Sequence, residues 1–305
     1  YRFIRKMYVW IVRLHKTSVM IKNNINTTSI RNNYLFSCYK DVELIKPGNV
    51  NEISPHKDMN ADHFKRSAKL SVNSICNENL SLGDRIYKSI QDTKSKIEIN
   101  TNLGIVLLCS PLIHSMQNHK GIDFESALSH TVKNSSVDDT KKICRAISMA
   151  NPGGLGQRPS MDVHDDPNVS LLNIMEYASK YDRIAYQYSH NFVDILEFIV
   201  PSILEHMKSD KSLDFALTLV FLEIVASIPD SHISRKYGEK IAKKTSNQAY
   251  DLLKIIGKGY SQEKAYPEIV KLDDKYKKNR LNPGTSADLL VAGLFVYKCF
   301  YDSKA

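Results

Sequence analysis

The chain has 305 residues, 42% of them hydrophobic and 25% charged, with a formal net charge of +9. That is enough for one large domain or two small ones with a sizeable core, and the positive excess suits an anionic partner, either a polyphosphate or, less favoured, nucleic acid. The five cysteines (Cys38, Cys76, Cys109, Cys144 and Cys299) are far apart and form no CxxC, which argues against a zinc site or a disulfide framework and for small core thiols in a cytoplasmic protein.

The opening stretch, YRFIRKMYVWIVRLHKTSVMIK, is basic and aromatic, but Arg5, Lys6 and Arg13 interrupt every apolar run. It is too short and too charged to span a bilayer, and it lacks the apolar core and small-residue cleavage site of a signal peptide. The expectation is that residues 1–22 lie outside the fold, with Met20 as a plausible start, and that residues 23–305 form one domain. No other segment looks transmembrane.

Helical periodicity dominates the rest. Phe64, Ala68, Val72 and Ile75 fall on one helical face, and Leu103, Val106 and Leu107 begin an apolar helix expected to run to Pro111 or slightly past it. Ser136 and Asp139 have capping-box spacing ahead of Ile143 and Ile147. The stretch NPGGLGQRPSMDVHDDPN, from Asn151 to Asn168, breaks the pattern with three Gly and three Pro. Helical signal resumes at Leu171, and the run from Asp182 to Met207 reads as one long helix kinked or broken at Pro201. Leu213 to Ile228 is nearly all apolar, which places it at the centre of a bundle. Ser231 to Ile256 reads as an amphipathic helix ending at Gly257, and Thr285 to Tyr301 as the last helix. No strand alternation, hairpin dipeptide or fixed repeat is present. The expected fold is therefore all-α, a single-domain multi-helix bundle with functional loops between helices.

Those loops carry the polar chemistry. KPGNVNEISPHKDM, Lys46 to Met59, has a Pro-Gly turn, then His56 and Asp58 two apart. NTNLG, Asn100 to Gly104, holds Asn100 and Asn102; the Gly-rich loop holds Gly153, Gly154, Gly156 and Arg158. In PDSHISRKYG, Asp230 or Ser231 is placed to cap a helix, and Arg235 and Lys236 to reach an anion. In LNPGTSADLL a Pro-Gly turn delivers Thr285 and Ser286 to a helix N-terminus, where free N–H groups suit phosphate, with Asp288 in the first turn. The plainer reading there is an N-cap with a dipole partner. No Walker, HExxH or GxSxG motif is present.

These segments, in this order in a helical chain, resemble the triphosphoribosyl-dephospho-CoA synthase family from about Asp41 to Phe300. NTNLG, GGLG and DRIAYQY place the resemblance nearest its archaeal and methylotroph branch. The resemblance implies an enzyme that moves the 5-triphosphoribosyl group of ATP to the ribose 2′-hydroxyl of 3′-dephospho-CoA and releases adenine. It implies Mg²⁺ with ATP as substrate, and no membrane or nucleic-acid partner. By the same resemblance, the first motif maps onto Glu43, Lys46, Pro47, Gly48, His56 and Asp58, and the later ones onto Asp230, Arg235, Gly284, Ser286 and Asp288. Asp58, Asp230 and Asp288 are then expected to bind metal and stabilise the ribosyl cation. Lys46, Gly48, Arg235 and the Gly284, Thr285 and Ser286 backbone are expected to hold triphosphate.

The chain departs from the lyase-associated members, which have Asp-Thr-Asn where it has Asp230-Ser231-His232, and Gly-Gly-Ser-Ala-Asp where it has Gly284 to Asp288. Two other readings stand beside the transferase. One is a related ATP-using enzyme acting on a pterin-type one-carbon cofactor precursor. The other is a non-enzymatic basic helical binding protein, which a broad Lys/Arg face with scattered Asp would favour.

Overall fold

Three helices are apolar on every side, and the rest of the chain is arranged to cover them. The computed structural model describes residues 19–21, 25–54, 59–154, 163, 167–209, 211–257 and 260–302. Among these the fold is all-α, with fourteen α-helices, one π-helical segment, and no strand pairing beyond a single bridge between Met20 and Asp123.

The helices of the first half are α1 (Thr27–Glu43), α2 (Ala61–Ile75), α3 (Leu82–Lys94), α4 (Leu103–Asn118), α5 (Phe124–Lys133) and α6 (Val137–Ala150). Then come α7 (Leu171–Ala178), α8 (Arg183–Ser189), the π segment Ile195–Ile199, and α9 (Val200–Met207). The last are α10 (Leu213–Ser227), α11 (Ser231–Tyr237), α12 (Glu239–Ile256), α13 (Gln262–Lys278) and α14 (Gly284–Phe300).

The centre is built from α4, α10 and α14, whose residues are buried almost throughout. A helix with no polar face has nowhere to go but the interior. Helix α14 packs on α1, α4, α8, α9, α10 and α11, so it is the axis of the bundle. Helices α2, α3 and α6 form one flank and α12 with α13 the other. The apolar face at Ala68, Val72 and Ile75 is buried as expected, and the Ser136–Asp139 capping box forms.

Three expectations need correction. Helix α4 does not end near Pro111 but runs to Asn118. Proline removes the N–H that would bond the carbonyl four residues back. That carbonyl, Leu107 O, instead accepts the Tyr188 hydroxyl at 2.5 Å, so a distant helix makes good the loss.

The run from Asp182 to Met207 is not one helix kinked at Pro201. It breaks ten residues earlier, at Asn191 and Phe192, which have φ of 49° and 57°. A left-handed Phe costs roughly 1 kcal/mol or more, offset here by full burial of its ring beside Tyr188. Pro201 lies just past the π segment, inside a helical run that continues from Val193 to Met207.

Ser231 to Ile256 is two helices. Gly238, at φ 86°, ends α11 and starts α12, a conformation that glycine adopts without strain. Ahead of α1, the described residues 19–21 lie against the start of α5. The amide of Ile21 donates to Ile122 O, its carbonyl accepts from Gly121, Phe124 N donates to Val19 O, and the Ile21 side chain is buried in the core.

Candidate functional site

The N-terminal ends of α4, α8, α11 and α14 converge, and a cavity of about 470 Å³ opens between them. Leu103, Leu107, Ile143, Ile147, Leu171, Ile174 and Met175 give it an apolar wall, and Tyr177 and Tyr181 stand on the same side. Asn100, Asp182, His232, Arg235, Lys236, Thr285 and Asp288 supply the polar part. An apolar cleft with a few converging polar groups is the ordinary form of a small-molecule site.

Asp288 lies in the first turns of α14 and opens into this cavity. Its carboxylate has no hydrogen bond from any described residue. It packs against the Cα of Gly104 on α4, where any side chain would collide with it. Burial pushes its carboxyl well above the usual carboxylate range, and the charges of Asp41, Asp230 and Asp182 add to the rise, while Lys46 opposes it. A carboxyl held this way is a stronger base than a solvated one.

Asp230 shares the neighbourhood but not the cavity wall. It is buried; Oδ1 caps α11 by accepting from Ile233 N at 3.0 Å, and Oδ2 accepts from Ser286 N and Ser286 Oγ, both at 2.8 Å. Burial raises its carboxyl, against the pull of those hydrogen bonds and of Arg235. Its geometry is that of a clamp tying α11 to α14. The same clamp takes the Ser286 amide away from phosphate. Thr285 remains on the cavity wall, its Oγ1 3.0 Å from Ser231 Oγ. Gly284 packs on the His232 ring, where a Cβ would sit 2.7 Å from Nδ1.

Lys46, expected to hold triphosphate, is placed away from the cavity wall. It is 0% exposed, its ammonium donating to Asp41 and, at 2.7 Å, to Asn49 Oδ1. Burial lowers its pKa against the opposing pull of Asp41. It sits beneath Asp288, not in the cavity. Gly48 donates its amide to Asp273 Oδ1 at 2.7 Å and packs on the turn at Leu281, and Asn49 Nδ2 donates to Asn282 Oδ1 at 2.9 Å. The Lys46 loop therefore braces the Leu281–Pro283 turn that starts α14. Glu43 is on the surface, 2.9 Å from Lys40 and 4.0 Å from Lys65.

Asn100 lines the cavity and caps the start of α4 through Leu103 N, while Asn102 turns inward to Thr93. Gly154 lies against the backbone of Arg235. His56, Asp58 and Arg158 lie outside the described residues. Among the described residues no group of three His, Cys, Asp or Glu side chains is placed to hold a metal ion.

Reading the sequence gave Asp182 no role. Its Oδ1 caps α8 through Ile184 and Ala185, and its Oδ2 holds the guanidinium of Arg235, 53 residues away. The only signal was its place at the head of DRIAYQY. The rest of that segment is scaffold: Arg183 is bidentate to Asp194 at 2.7 and 2.8 Å, Gln187 donates to the same carboxylate, and Tyr188 reaches Leu107.

Two comparisons bear on this arrangement. The sequence model of the ATP:dephospho-CoA triphosphoribosyl transferase family matches residues 27–304. A crystal structure from Archaeoglobus fulgidus, provisionally named triphosphoribosyl-dephospho-CoA synthase, superimposes with a TM-score of 0.57 at 20% identity, covering 76% of this chain and 96% of that one. At that identity the likeness shows the fold. No curated protein matches the sequence.

Proposed function

The chain belongs to the ATP:dephospho-CoA triphosphoribosyl transferase family, and from that premise we propose that the cavity at Asp288 is where the triphosphoribosyl group of ATP passes to 3′-dephospho-CoA with release of adenine. The observation that carries this reading is the Asp288 carboxylate: open to the cavity, without a hydrogen bond from the described residues, and raised in basicity by its surroundings.

The reaction breaks the bond between ribose C1′ and adenine, and the electron pair leaves with the purine. Positive charge grows on the ribose ring. A carboxylate in a low-dielectric cleft stabilises that charge far more than water would. The 2′-hydroxyl of the acceptor bonds to C1′ and loses its proton, which Asp288 is suited to take, and the departing adenine takes up a proton. Balance is kept without any redox partner.

Arg235 on the cavity wall, fixed by Asp182, supports the anionic end of ATP. Tyr177 and Tyr181, set edge-to-face with ring centroids 6.4 Å apart, give that side of the cavity aromatic surface for a purine. Mg²⁺ accompanying ATP usually needs only one or two carboxylates, with phosphate oxygens and water completing its shell. Asp288 fits such a partial role, since its oxygens hold no other bond; the ion would screen the triphosphate charge. All five cysteines are free thiols, four of them buried, which supports a reducing compartment, the cytoplasm. Among the described residues no helix is long and apolar enough to cross a membrane.

The test is adenine release, followed by chromatography with mass detection, from ATP and Mg²⁺ with and without dephospho-CoA. Adenine that appears only with dephospho-CoA and is lost in Asp288→Asn is the expected result. ATP that binds without any adenine release in either mixture would overturn the acceptor.

A further inference from the structure

The cavity has one permanent cation that no described group holds by a hydrogen bond or ion pair. Three basic side chains with permanent charge line it: Lys94, Arg235 and Lys236. The Lys94 ammonium donates to Glu98 O, and the Arg235 guanidinium is held by Asp182. Lys46, once the obvious phosphate ligand, is sealed below the floor on Asp41. Lys236 makes no ion pair or hydrogen bond with any described residue, although it follows Arg235 directly and borders the same cavity.

Its side chain is nonetheless placed. The backbone of Gly153 lies on the lysine stem so closely that a Cβ there would come within 2.8 Å of Cε and 3.5 Å of Nζ. Gly154 packs in the same way on the backbone of Arg235, with a Cβ position 3.0 Å from Arg235 Cβ. The two glycines thus lay the start of the α6–α7 connection across both basic residues. The neighbouring guanidinium adds a second sign of an incomplete set: Arg235 Nε is buried without a hydrogen-bond partner. An anion with several oxygens would answer both, since phosphate oxygens accept from ammonium and guanidinium together.

We propose that Lys236 anchors the polyphosphate chain of a bound nucleotide at the mouth of the cavity, with Gly153 as the residue that leaves room for its side chain. The proposal rests on the transferase reading for the identity of the nucleotide, but not for the presence of a polyphosphate. Both substrates carry such a chain, a triphosphate in ATP and a diphosphate in dephospho-CoA, and the experiment separates them.

Inorganic triphosphate is titrated calorimetrically into the full chain, and KM for each substrate is measured, for the wild type, Lys236→Ala, Lys236→Arg and Gly153→Ala. Loss of one charge-assisted contact predicts at least a tenfold weaker triphosphate affinity in Lys236→Ala, with the thermal midpoint unchanged because the side chain is exposed. Lys236→Arg restores most of the affinity. Gly153→Ala weakens it a few-fold by displacing the lysine tip. A rise in KM for ATP alone places the triphosphate at Lys236; a rise for dephospho-CoA alone places the diphosphate there. Triphosphate affinity and both KM values within twofold of wild type in Lys236→Ala would overturn the anchor, as would a wild type that binds no triphosphate. A Lys236-dependent triphosphate affinity in a protein that releases no adenine would keep the anchor and sink the transferase reading.

Discussion

Replacing Gly104 by Ala tests whether Asp288 works at the reacting centre without touching its chemistry. A Cβ at this position would overlap Asp288 Oδ2 outright and stand 2.5 Å from Asp288 Cγ and 2.9 Å from Ile184 Cδ1. Ordinary contact begins at roughly 3.4–3.5 Å, so the carboxylate must retreat by more than about 1 Å. Displacement of a reacting group by about 1 Å costs on the order of 10²-fold in rate. The same substitution favours the helix, since Ala in place of Gly lowers the cost of ordering α4 by roughly 0.5–1 kcal/mol, partly offsetting the strain of the contact. The expectation is a kcat for adenine release lower by about two orders of magnitude, with a thermal midpoint within a few degrees of wild type. Gly104→Ala with wild-type kcat would refute the placement of Asp288 in the transition state. A large fall in midpoint alongside the lost rate would instead mark Gly104 as a folding residue.

Asp288→Asn should raise the thermal midpoint of the substrate-free protein at pH 7.5. A carboxyl whose folded pKa is raised binds its proton more tightly in the folded state, so stability falls as pH climbs from the unfolded value near 4 through the folded one. The gain in the variant should shrink toward zero by about pH 4; a gain independent of pH would contradict this account. Asp230→Ala removes an N-cap and leaves the Ser286 amide and hydroxyl without their acceptor, a loss of about 2–4 kcal/mol in denaturant unfolding; a change under 1 kcal/mol would deny the clamp. Tyr188→Phe strands the Leu107 carbonyl and should cost about 1–2 kcal/mol. In a Pro111→Ala background, where the helix supplies its own N–H, that cost should largely vanish. A double-mutant cycle with no coupling would show that the Tyr188 hydroxyl is not there to replace the missing bond.

Much of the architecture follows from local chemistry. The apolar runs at Leu103, Leu213 and Thr285 identify the central helices, because a helix without a polar face is soluble only when covered. Asp230 and Ser136 announce their caps by residue type and spacing. Other features left weak traces: α1 buries Asn33, Ser37 and Asp41 beside its apolar residues, which blurs its periodicity. The break at Asn191 and Phe192 has no Gly or Pro to signal it, since it exists only because the core accepts the Phe192 ring.

By itself, then, the sequence determined an all-helical fold, its most buried helices, and the segments where polar chemistry gathers. Which charges in those segments remain available was a matter for the tertiary structure. Lys46 and Lys236 are both lysines beside a Pro-Gly or Gly-bounded turn, yet one is paired inside the protein and the other faces the cavity. Asp230 and Asp288 are both acids near helix starts, yet one accepts three hydrogen bonds and the other none from the described residues. The reason is physical: periodicity reports how deeply a side chain lies, whereas its partner is fixed by contacts such as Asp182 with Arg235 or Asp230 with Ser286, more than fifty residues apart in the chain.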